Sequence, residues 1–247
     1  MYIEDRIKRI IVTGGAGFIG SNLILKLFDL SKAKIYNLDK LGYASNLIGI
    51  NNKLIKNEEY KNRYELVKVD LKNKNKLDSL IDDIDPDLVF HLAAESHVDR
   101  SIDSPHLFMN SNIFGTFHLL QESLKHYRKI SFYRKKIFKF IHISTDEVYG
   151  SLGLEGSFNE QSCYAPRSPY SASKAASDHI VLSWFHTYEL PTVISNCSNN
   201  FGPRQFPDKL IPSIIINALS QKKIPIYGNG SNIRDWLFVE DHINALL

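Results

Sequence analysis

The sequence has little of what marks a secreted, membrane-spanning or metal-binding protein. Its two cysteines, Cys163 and Cys197, lie in unrelated segments, so we expect no disulfide and a reducing compartment. No apolar run reaches the roughly eighteen residues that a transmembrane helix requires, and residues 1–9 lack the apolar core of a secretory signal. The nine histidines do not show the spacing of zinc ligands, so we expect no metal site.

A large excess of one charge is also missing. The 247 residues include 30 Lys and Arg against 27 Asp and Glu, a net charge of +3, which indicates neither a nucleic-acid nor a membrane surface. Hydrophobic residues make up 43% of the chain, which is ordinary for a globular protein. The length suits one large α/β domain, or one domain and part of another. We therefore expect a cytoplasmic protein that binds neither nucleic acid nor membrane.

The chain is organised around residues 10–21, which read IIVTGGAGFIGS. A short apolar strand leads into a glycine-rich turn, and apolar residues then recur at helical spacing. Gly14, Gly17 and Gly20 suit a turn with positive φ, a close approach of backbone amides to a pyrophosphate, and tight packing of helix on strand. The helix N-terminus offers free N–H groups to phosphates. With the acidic Asp39 about twenty residues further on, the pattern predicts dinucleotide binding rather than an ordinary tight turn.

Strand-like and helical segments alternate through most of the chain. This alternation predicts an α/β fold of the Rossmann-like, doubly wound type, in which helices cover both faces of a parallel sheet. The predicted strands are 9–13, 34–38, 64–69, 87–92, 137–144 and 192–197. The predicted helices lie near 18–30, 74–84, 106–127 and 170–188, and helical signals resume at 211–219.

Ligands of such sheets bind at the carboxyl ends of the strands, so the residues found there are candidate site residues. Asp39 ends the second strand, where a carboxylate accepts hydrogen bonds from ribose hydroxyls and favours NAD over NADP, although Lys40 follows it. Asp70 ends the third strand, where it either bonds an adenine amino group or caps the next helix. Ala93 and Ala94 follow the fourth strand and leave room for the cofactor beside the backbone.

The fifth strand ends in the sequence ISTDEVYG, residues 143–150. An adjacent Asp146 and Glu147 after a buried strand are costly unless they are solvated or used. One interpretation is the polar start of a loop. The other is a general acid beside a general base, with different environments separating their pKa values.

Tyr170 and Lys174 stand at the start of the helical pattern near 170–188. Residues four apart share one face of a helix, so we expect the Lys174 ammonium beneath the phenol, where it lowers a pKa of about 10. The Y-x-x-x-K pattern is weak by itself, because two other pairs in the chain match it. Those two pairs lie in or beside predicted strands, where the side chains are far apart. Further along, Lys209 and Arg234 are candidate phosphate ligands or, equally, surface charges.

These segments together resemble the nucleotide-diphosphoglucose 4,6-dehydratases, a family of extended short-chain dehydrogenases/reductases. The specific part is the Thr-Asp-Glu run, because epimerases and decarboxylases of the same superfamily generally lack the acidic pair. The matching stretches span nearly the whole chain. They are TGGAGFIGS at 13–21, LDKLGYASN at 38–46, HLAAESHVDRSI at 91–102, ISTDEVYG at 143–150, SPYSASKA at 168–175, NCSNNFGP at 196–203 and RDWLFVEDH at 234–242.

The resemblance implies a reaction and a role for each catalytic candidate. Tyr170, with Lys174, would take the proton from the glucose C4 hydroxyl as its hydride passes to NAD, while Thr145 bonds the C4 oxygen. Glu147 would then remove the C5 proton, and Asp146 would protonate the leaving C6 hydroxyl. The hydride would return to C6 and give a 4-keto-6-deoxy sugar, so NAD is a resident cofactor and there is no net oxidation.

The resemblance and the strand ends together give two sets of binding residues. The expected NAD contacts are Gly14, Gly17, Phe18, Ile19, Gly20, Asp39, Lys40, Asp70, Leu71, Leu92, Ala93, Ala94, Thr116, Tyr170 and Lys174. The expected nucleotide-sugar contacts are Ser96, Thr145, Asn199, Lys209, Leu210 and Arg234.

The resemblance also implies an organisation of the chain. We expect an NAD-binding domain at 1–198, to which 233–247 returns, and part of a substrate-binding lobe at 199–232, with the rest of that lobe absent from this chain. We also expect a homodimer, in which the helices near 106–127 and 170–188 of both subunits form a four-helix bundle. Gly42 departs from the family, which usually has Thr there.

Three hypotheses therefore remain open from the sequence. The leading one is a dehydratase acting on dTDP-glucose or UDP-glucose, between which the residues do not choose. A nucleotide-sugar 4-epimerase is the second, and the acidic pair speaks against it. A non-catalytic NAD-binding module is the third.

Overall fold

The computed structural model describes residues 6–153, 155–226 and 229–247. Six parallel strands form the main sheet in the order β3-β2-β1-β4-β5-β6, which confirms the predicted doubly wound fold. The strands are β1 (Arg9–Thr13), β2 (Lys34–Asp39), β3 (Tyr64–Lys68), β4 (Leu88–His91), β5 (Lys139–Thr145) and β6 (Thr192–Cys197). The order reverses between β1 and β4, and a crevice opens at the carboxyl ends of these two strands.

The central strand β1 shows why these residues form a sheet that is covered on both faces. Ile10, Ile11 and Val12 are completely buried, as continuous apolar runs of parallel sheets are. Successive side chains point to opposite faces, so Ile11 joins one hydrophobic core while Ile10 and Val12 join the other.

Helices cover both faces, and one long helical run is interrupted. The α-helices are α1 (Phe18–Leu30), α2 (Ile48–Lys56), α3 (Glu58–Asn62), α4 (Lys74–Ile84), α5 (Val98–Asp103), α6 (Pro105–Phe108), α7 (Gly115–Lys129), α8 (Phe132–Ile137), α9 (Pro169–Tyr188), α10 (Leu210–Leu219) and α11 (Val239–Leu246). A π-helical turn, Met109–Phe114, joins α6 to α7. The predicted helix near 106–127 is therefore present, but it contains this wider turn.

The carboxyl-terminal part of the described chain adds a small second sheet. Its strands are β7 (Asn199–Phe201) and β8 (Trp236–Phe238), and they pair in parallel with Asn199 opposite Trp236. Neither strand was predicted, because three residues are too few to show a period. The following α11 places Val239 and Ile243 in the core that α1 also lines.

Two expectations about absent features concern the described residues only. No helix in the described ranges combines the length and the apolar character that a bilayer crossing needs, and no group of His, Cys, Asp and Glu there is placed to hold a metal ion. Residues 1–5, part of the segment in which we expect no secretory signal, lie outside the described ranges.

Candidate active site

The β1–α1 turn is pressed against the chain that follows β4. Gly14 has φ +69°, and a Cβ there would lie 2.8 Å from the backbone N and Cα of Ala93. A Cβ on Gly20 would lie 2.3 Å from the carbonyl oxygen of Gly14. The N-cap residue of α1, Gly17, brings no capping side chain, so the first amides of the helix remain available to a ligand.

A large cavity of about 780 Å³ opens above this turn. It reaches from the glycine turn, past the ends of β2 and β4, to the ends of β5 and β6 and the segment after β7. The predicted site residues in its wall are Gly14, Gly17, Phe18, Ile19, Gly20, Asp39, Lys40, Asp70, Leu71, Leu92, Ala93, Ala94, Ser96, Thr145, Glu147, Tyr170, Lys174, Asn199, Lys209, Leu210 and Arg234. The predicted residues outside that wall are Thr116 and Asp146.

Thr116 is buried beneath the cavity rather than facing it. Its hydroxyl bonds Nε2 of His91 at 2.8 Å and donates to the Asn112 carbonyl at 2.5 Å. Nδ1 of His91 in turn bonds the Thr13 hydroxyl at 2.8 Å. The structure therefore gives Thr116 a place in the support of β4 and not the predicted direct contact with a cofactor.

Asp39 holds the loops around it as well as facing the cavity. Its carboxylate accepts hydrogen bonds from the amides of Ala16 (2.9 Å) and Leu41 (2.7 Å) and from the Ser45 hydroxyl (3.2 Å). A carboxylate has about four acceptor positions, so room remains for a ligand hydroxyl. The neighbouring Lys40 forms an ion pair with Glu95.

The structure excludes one of the two interpretations of Asp70. Asn73, not Asp70, caps α4, since its side chain accepts the amide of Lys76 at 3.4 Å. Asp70 accepts the amide of Lys72 at 3.1 Å in a local turn. The capping interpretation is therefore wrong, and Asp70 lies in the cavity wall.

Tyr170 and Lys174 are placed by the capped start of α9. Ser168 accepts the Ser171 amide at 3.0 Å in a capping box, so the helix begins with Tyr170 in its first turn. Lys174 lies one turn later, and its Nζ donates to the carbonyl oxygen of Ile143 at 2.8 Å. Both Tyr170 and Lys174 face the cavity and are 9% and 4% exposed.

The expected lowering of the Tyr170 pKa by Lys174 is not found. Burial, followed by the charge of Glu147, raises the pKa of Tyr170, and the Thr145 hydroxyl opposes this shift. Burial likewise lowers the pKa of Lys174, against the charge of Asp178. The physical reason is that both groups are enclosed, and the loss of hydration is the largest cause of both shifts.

The acidic pair begins a short 3₁₀ helix, Asp146–Tyr149, directly after β5. The Thr145 hydroxyl accepts the Glu147 amide at 3.3 Å and donates to Asp146 at 3.3 Å. Burial raises the pKa of Asp146. Burial and then the charge of Asp146 raise the pKa of Glu147, against the charges of Arg234 and Lys209. The two pKa values are thus shifted in the same direction.

The far wall of the cavity comes from the segment between β7 and β8. Lys209 is largely enclosed, and burial lowers its pKa against the charges of Asp208 and Glu147. Arg234 is exposed, and its guanidinium bonds the carbonyl oxygen of the adjacent Ile233 at 2.9 Å. The charges of these two cations therefore act on Glu147 across the cavity.

Sequence reasoning missed the residues that support this site from below. In the π-helical turn, the Asn112 side chain bonds the amide and the carbonyl of Glu95 (2.8 and 3.0 Å) and the hydroxyl of Ser173 (2.8 Å). Under Lys174, His142 and Asp178 form a buried pair. The one signal for Asp178 was its position a turn after Lys174, which many polar residues share.

Comparison with known proteins gives consistent results. Residues 11–247 match the family model described as GDP-mannose 4,6 dehydratase. The dTDP-glucose 4,6-dehydratase of Neisseria gonorrhoeae is 52% identical over 240 residues, which cover 97% of this chain and 68% of that protein. The dTDP-glucose 4,6-dehydratase of Escherichia coli is 49% identical and is covered to 67%. The chain thus spans about two thirds of the length of these curated relatives.

A solved structure agrees with this picture. The crystal structure of dTDP-glucose 4,6-dehydratase from Bacillus anthracis in complex with NAD matches with a TM-score of 0.82 at 41% identity. The match covers 97% of this chain and 70% of that one. The fold around the cavity is therefore one in which a related protein binds NAD.

Proposed function

We propose that this chain, which belongs to the dTDP-glucose 4,6-dehydratase family, serves the NAD-dependent dehydration of dTDP-glucose to the 4-keto-6-deoxy sugar. The family predicted from the sequence is confirmed by these relatives. The observation that carries the proposal is one cavity wall that holds the glycine turn, Tyr170 and Glu147 together. The sequence left dTDP-glucose and UDP-glucose open, and the names of the relatives favour the former.

The residues around the glycine turn fit a dinucleotide. A Cβ on Gly14 would collide with the backbone of Ala93, so glycine lets the turn pack closely against the chain after β4, as the glycine turns that hold a pyrophosphate do. The uncapped start of α1 offers amides to it, and Asp39 keeps an acceptor position for a ribose hydroxyl. When bound, NAD supplies the hydride acceptor for the sugar C4 carbon and the hydride donor for C6.

The proton steps are assigned to residues at the end of β5 and the start of α9. Tyr170, once ionised to the phenolate, takes the C4 hydroxyl proton, and Thr145 holds the C4 oxygen. Glu147 removes the C5 proton, since its raised pKa makes it a stronger base once ionised. Asp146 gives a proton to the C6 hydroxyl, which leaves as water, since burial keeps its carboxyl protonated to higher pH. Lys209 and Arg234 neutralise the diphosphate.

Two substitutions separate the first half of this reaction from the second. Glu147→Gln keeps size and hydrogen bonding but removes the base, so oxidation at C4 proceeds while elimination stalls. Enzyme-bound NADH then accumulates on mixing with dTDP-glucose, and turnover falls about 10²–10⁴-fold. Tyr170→Phe shows no such accumulation, because the first proton cannot leave.

The matched control is Glu155→Gln, an exposed carboxylate outside the cavity wall, which leaves turnover unchanged. Normal turnover of Glu147→Gln, or equal NADH accumulation in Tyr170→Phe, contradicts the assigned roles. A C4 epimer as the product identifies an epimerase, and no product from either dTDP-glucose or UDP-glucose identifies a non-catalytic NAD-binding module.

The division of the chain follows from the same proposal. Residues 1–198, together with 233–247, form the NAD-binding part, and 199–232 form part of the substrate-binding lobe. Support comes from α11, whose Val239 and Ile243 pack in the same core as α1, and from α10, which has no buried residue.

The same proposal includes a homodimer formed through α7 and α9. Much of the apolar surface of these helices is core, since Leu120, Val181 and Trp184 are buried. Phe114, in the π-helical turn before α7, and Phe185 on α9 are, however, 52% and 46% exposed. Sedimentation at micromolar concentration gives a dimer for the unmutated chain and a monomer for Phe185→Glu, while Phe132→Glu on α8 remains a dimer. A monomeric unmutated chain contradicts this.

A further inference from the structure

Below the cavity floor, a buried set of polar side chains lies against Lys174. Its Nζ is 3.5 Å from Nε2 of His142, and the same nitrogen of His142 is 3.1 Å from Oδ1 of Asp178. His142 and Asp178 are completely buried. We call Lys174, His142 and Asp178 the lysine cluster. Such an arrangement is costly unless its charges compensate one another.

The second oxygen of Asp178 fixes the charge of this carboxyl. Its Oδ2 accepts hydrogen bonds from the hydroxyls of Ser144 (2.7 Å) and Tyr164 (3.0 Å) and from the amide of Asn196 (3.3 Å). Donors that converge on a carboxylate favour its ionised form. The pKa of Asp178 is lowered despite burial, by the hydrogen bond and charge of His142, the charge of Lys174 and the hydrogen bond from Ser144. Asp178 is therefore a carboxylate at neutral pH.

The hydrogen bonds also assign the proton of His142. Because Asp178 is ionised, Nε2 of His142 carries a hydrogen and donates it to Oδ1. Nδ1 has no partner among the described residues, and burial lowers the pKa of His142 to about 4. His142 is therefore neutral, and it separates the ammonium of Lys174 from the carboxylate of Asp178 by one ring nitrogen.

The other titratable groups that face Lys174 are uncharged at neutral pH. From β4, the pKa of His91 is lowered well below its usual range by burial. From β6, burial raises the pKa of Cys197 to about 11. Tyr170, on the same helix, is a neutral phenol because its pKa is raised. Two acids, Asp178 and Cys197, act electrostatically on Lys174. Asp178 is the one that is ionised at neutral pH.

We propose that the Asp178 carboxylate, across Nε2 of His142, keeps the Lys174 ammonium charged at the cavity wall, and is a positioning residue for proton transfer at Tyr170. Asp178 does not touch the cavity. Without its charge, burial would lower the pKa of Lys174 further, and a larger fraction of Lys174 would offer a lone pair instead of a positive charge to the phenol. Only the effect on proton transfer at Tyr170 rests on the proposed function.

A direct test titrates Lys174 in the chain without cofactor. The chain is labelled with ¹³Cε-lysine, and the Lys174 resonance is assigned by its loss in Lys174→Arg. In Asp178→Asn, which keeps the shape and removes the charge, the pKa of Lys174 falls by about one unit or more, a tenfold loss of proton affinity. Tyr164→Phe removes one bond to Asp178 but keeps both charges, and it leaves the Lys174 titration nearly in place.

The pH profile of hydride transfer gives a second measurement. With dTDP-glucose, the alkaline limb of kcat/KM moves to lower pH in Asp178→Asn by the same interval, while the rate below that limb stays near that of the unmutated chain. Thermal melts establish that each variant is folded. If Asp178→Asn does not fold, Asp178→Ser, which is uncharged and leaves room for water, replaces it with the same expected direction.

Two results overturn the inference. One is a Lys174 titration that does not move when the Asp178 charge is removed, and the other is an equal shift in Tyr164→Phe, which would assign the effect to packing. An unmutated chain that forms no keto-deoxy sugar contradicts the proposed function instead. An active chain whose Lys174 titration ignores Asp178 contradicts this inference alone.

Discussion

The two walls of the cavity differ in how their residues are held. The cofactor wall rises directly from the six-stranded sheet, and its Asp39 is 7% exposed and bonded to two loops. The substrate wall comes from the segment between β7 and β8. Its helix α10 has no buried residue, with Leu219 82% exposed. Within the described ranges, the Arg234 side chain bonds only the carbonyl of the adjacent Ile233.

Because of this difference, we expect substitutions on the two walls to affect folding and ligand binding in different ways. On the cofactor wall, a change at one residue disturbs several neighbours, so binding and folding are coupled there. On the substrate wall, a side chain can be changed with little effect on the fold, so ligand contacts can be measured by themselves. Substitutions on either wall, and between them, test this contrast.

The largest effect is expected at Gly20, on the cofactor wall. In Gly20→Ala the new Cβ meets the carbonyl oxygen of Gly14 at 2.3 Å, so the turn and α1 must separate. We expect the free energy of unfolding to fall by about 3 kcal/mol and NAD binding to be lost, measured by denaturation and calorimetry. Gly153→Ala is the control, since nothing lies within 4 Å of its Cβ. Equal stability of the two variants would remove the distinction between the walls.

A smaller effect is expected at Asp39. Asp39→Ala leaves the amide of Ala16 without its partner, which costs about 2 kcal/mol of unfolding free energy. NAD binding weakens and discrimination against NADP relaxes, because the carboxylate that repels a 2′-phosphate is gone. Fluorescence titration with both cofactors measures this. If the unmutated chain binds NAD and NADP equally, Asp39 does not select the cofactor.

Glu147 lies between the two walls, and we expect its carboxylate to lower the free energy of unfolding at neutral pH. Its pKa is raised by burial and then by the charge of Asp146. The stability that the protonated form provides is therefore complete below the ordinary carboxyl pKa, and it is lost as the pH rises through the raised pKa. Glu147→Gln should therefore raise the free energy of unfolding at neutral pH by roughly 1 kcal/mol. The gain should vanish in acid. A gain that is the same at both pH values would contradict this origin.

The smallest effect on the fold is expected at Arg234. Arg234→Ala should change the free energy of unfolding by less than about 0.5 kcal/mol and leave NAD affinity unchanged, while the KM for dTDP-glucose rises about tenfold through loss of a charged hydrogen bond. Lys223→Ala, an exposed cation outside the cavity wall, serves as control. A loss of stability comparable to that of Asp39→Ala would show that the substrate wall is held as firmly as the other.

The same contrast explains what could be predicted of the fold. Long buried strands such as β1, and helices with a capped start such as α9, carry strong local signals, and their bounds agree with the sequence to within a residue or two. The short strands β7 and β8 form because residues 37 positions apart come together, as in the pairing of Asn199 with Trp236. No local pattern contains that information.

The site was predictable to the extent that its residues stand at strand ends or in a glycine turn. Asp39, Glu147 and Tyr170 are of this kind, although their catalytic and binding roles remain predictions. What the sequence could not give is what surrounds each group. The shift of the Tyr170 pKa depends on enclosure, and the use of Thr116 depends on a histidine 25 residues away in the chain.

The π-helical turn between α6 and α7 has a consequence for insertions and deletions. A turn with i→i+5 hydrogen bonds contains one residue more than an α-helical turn of the same rise. Deleting one residue within Met109–Phe114 would convert this wide turn into an α-helical turn, so the segments before and after it would keep their relative orientation. Residues inside the turn would shift around the helix axis, and Asn112 would no longer face the backbone of Glu95. The single extra residue thus sets where Asn112 points, and the length of this segment is constrained even where its side chains are not.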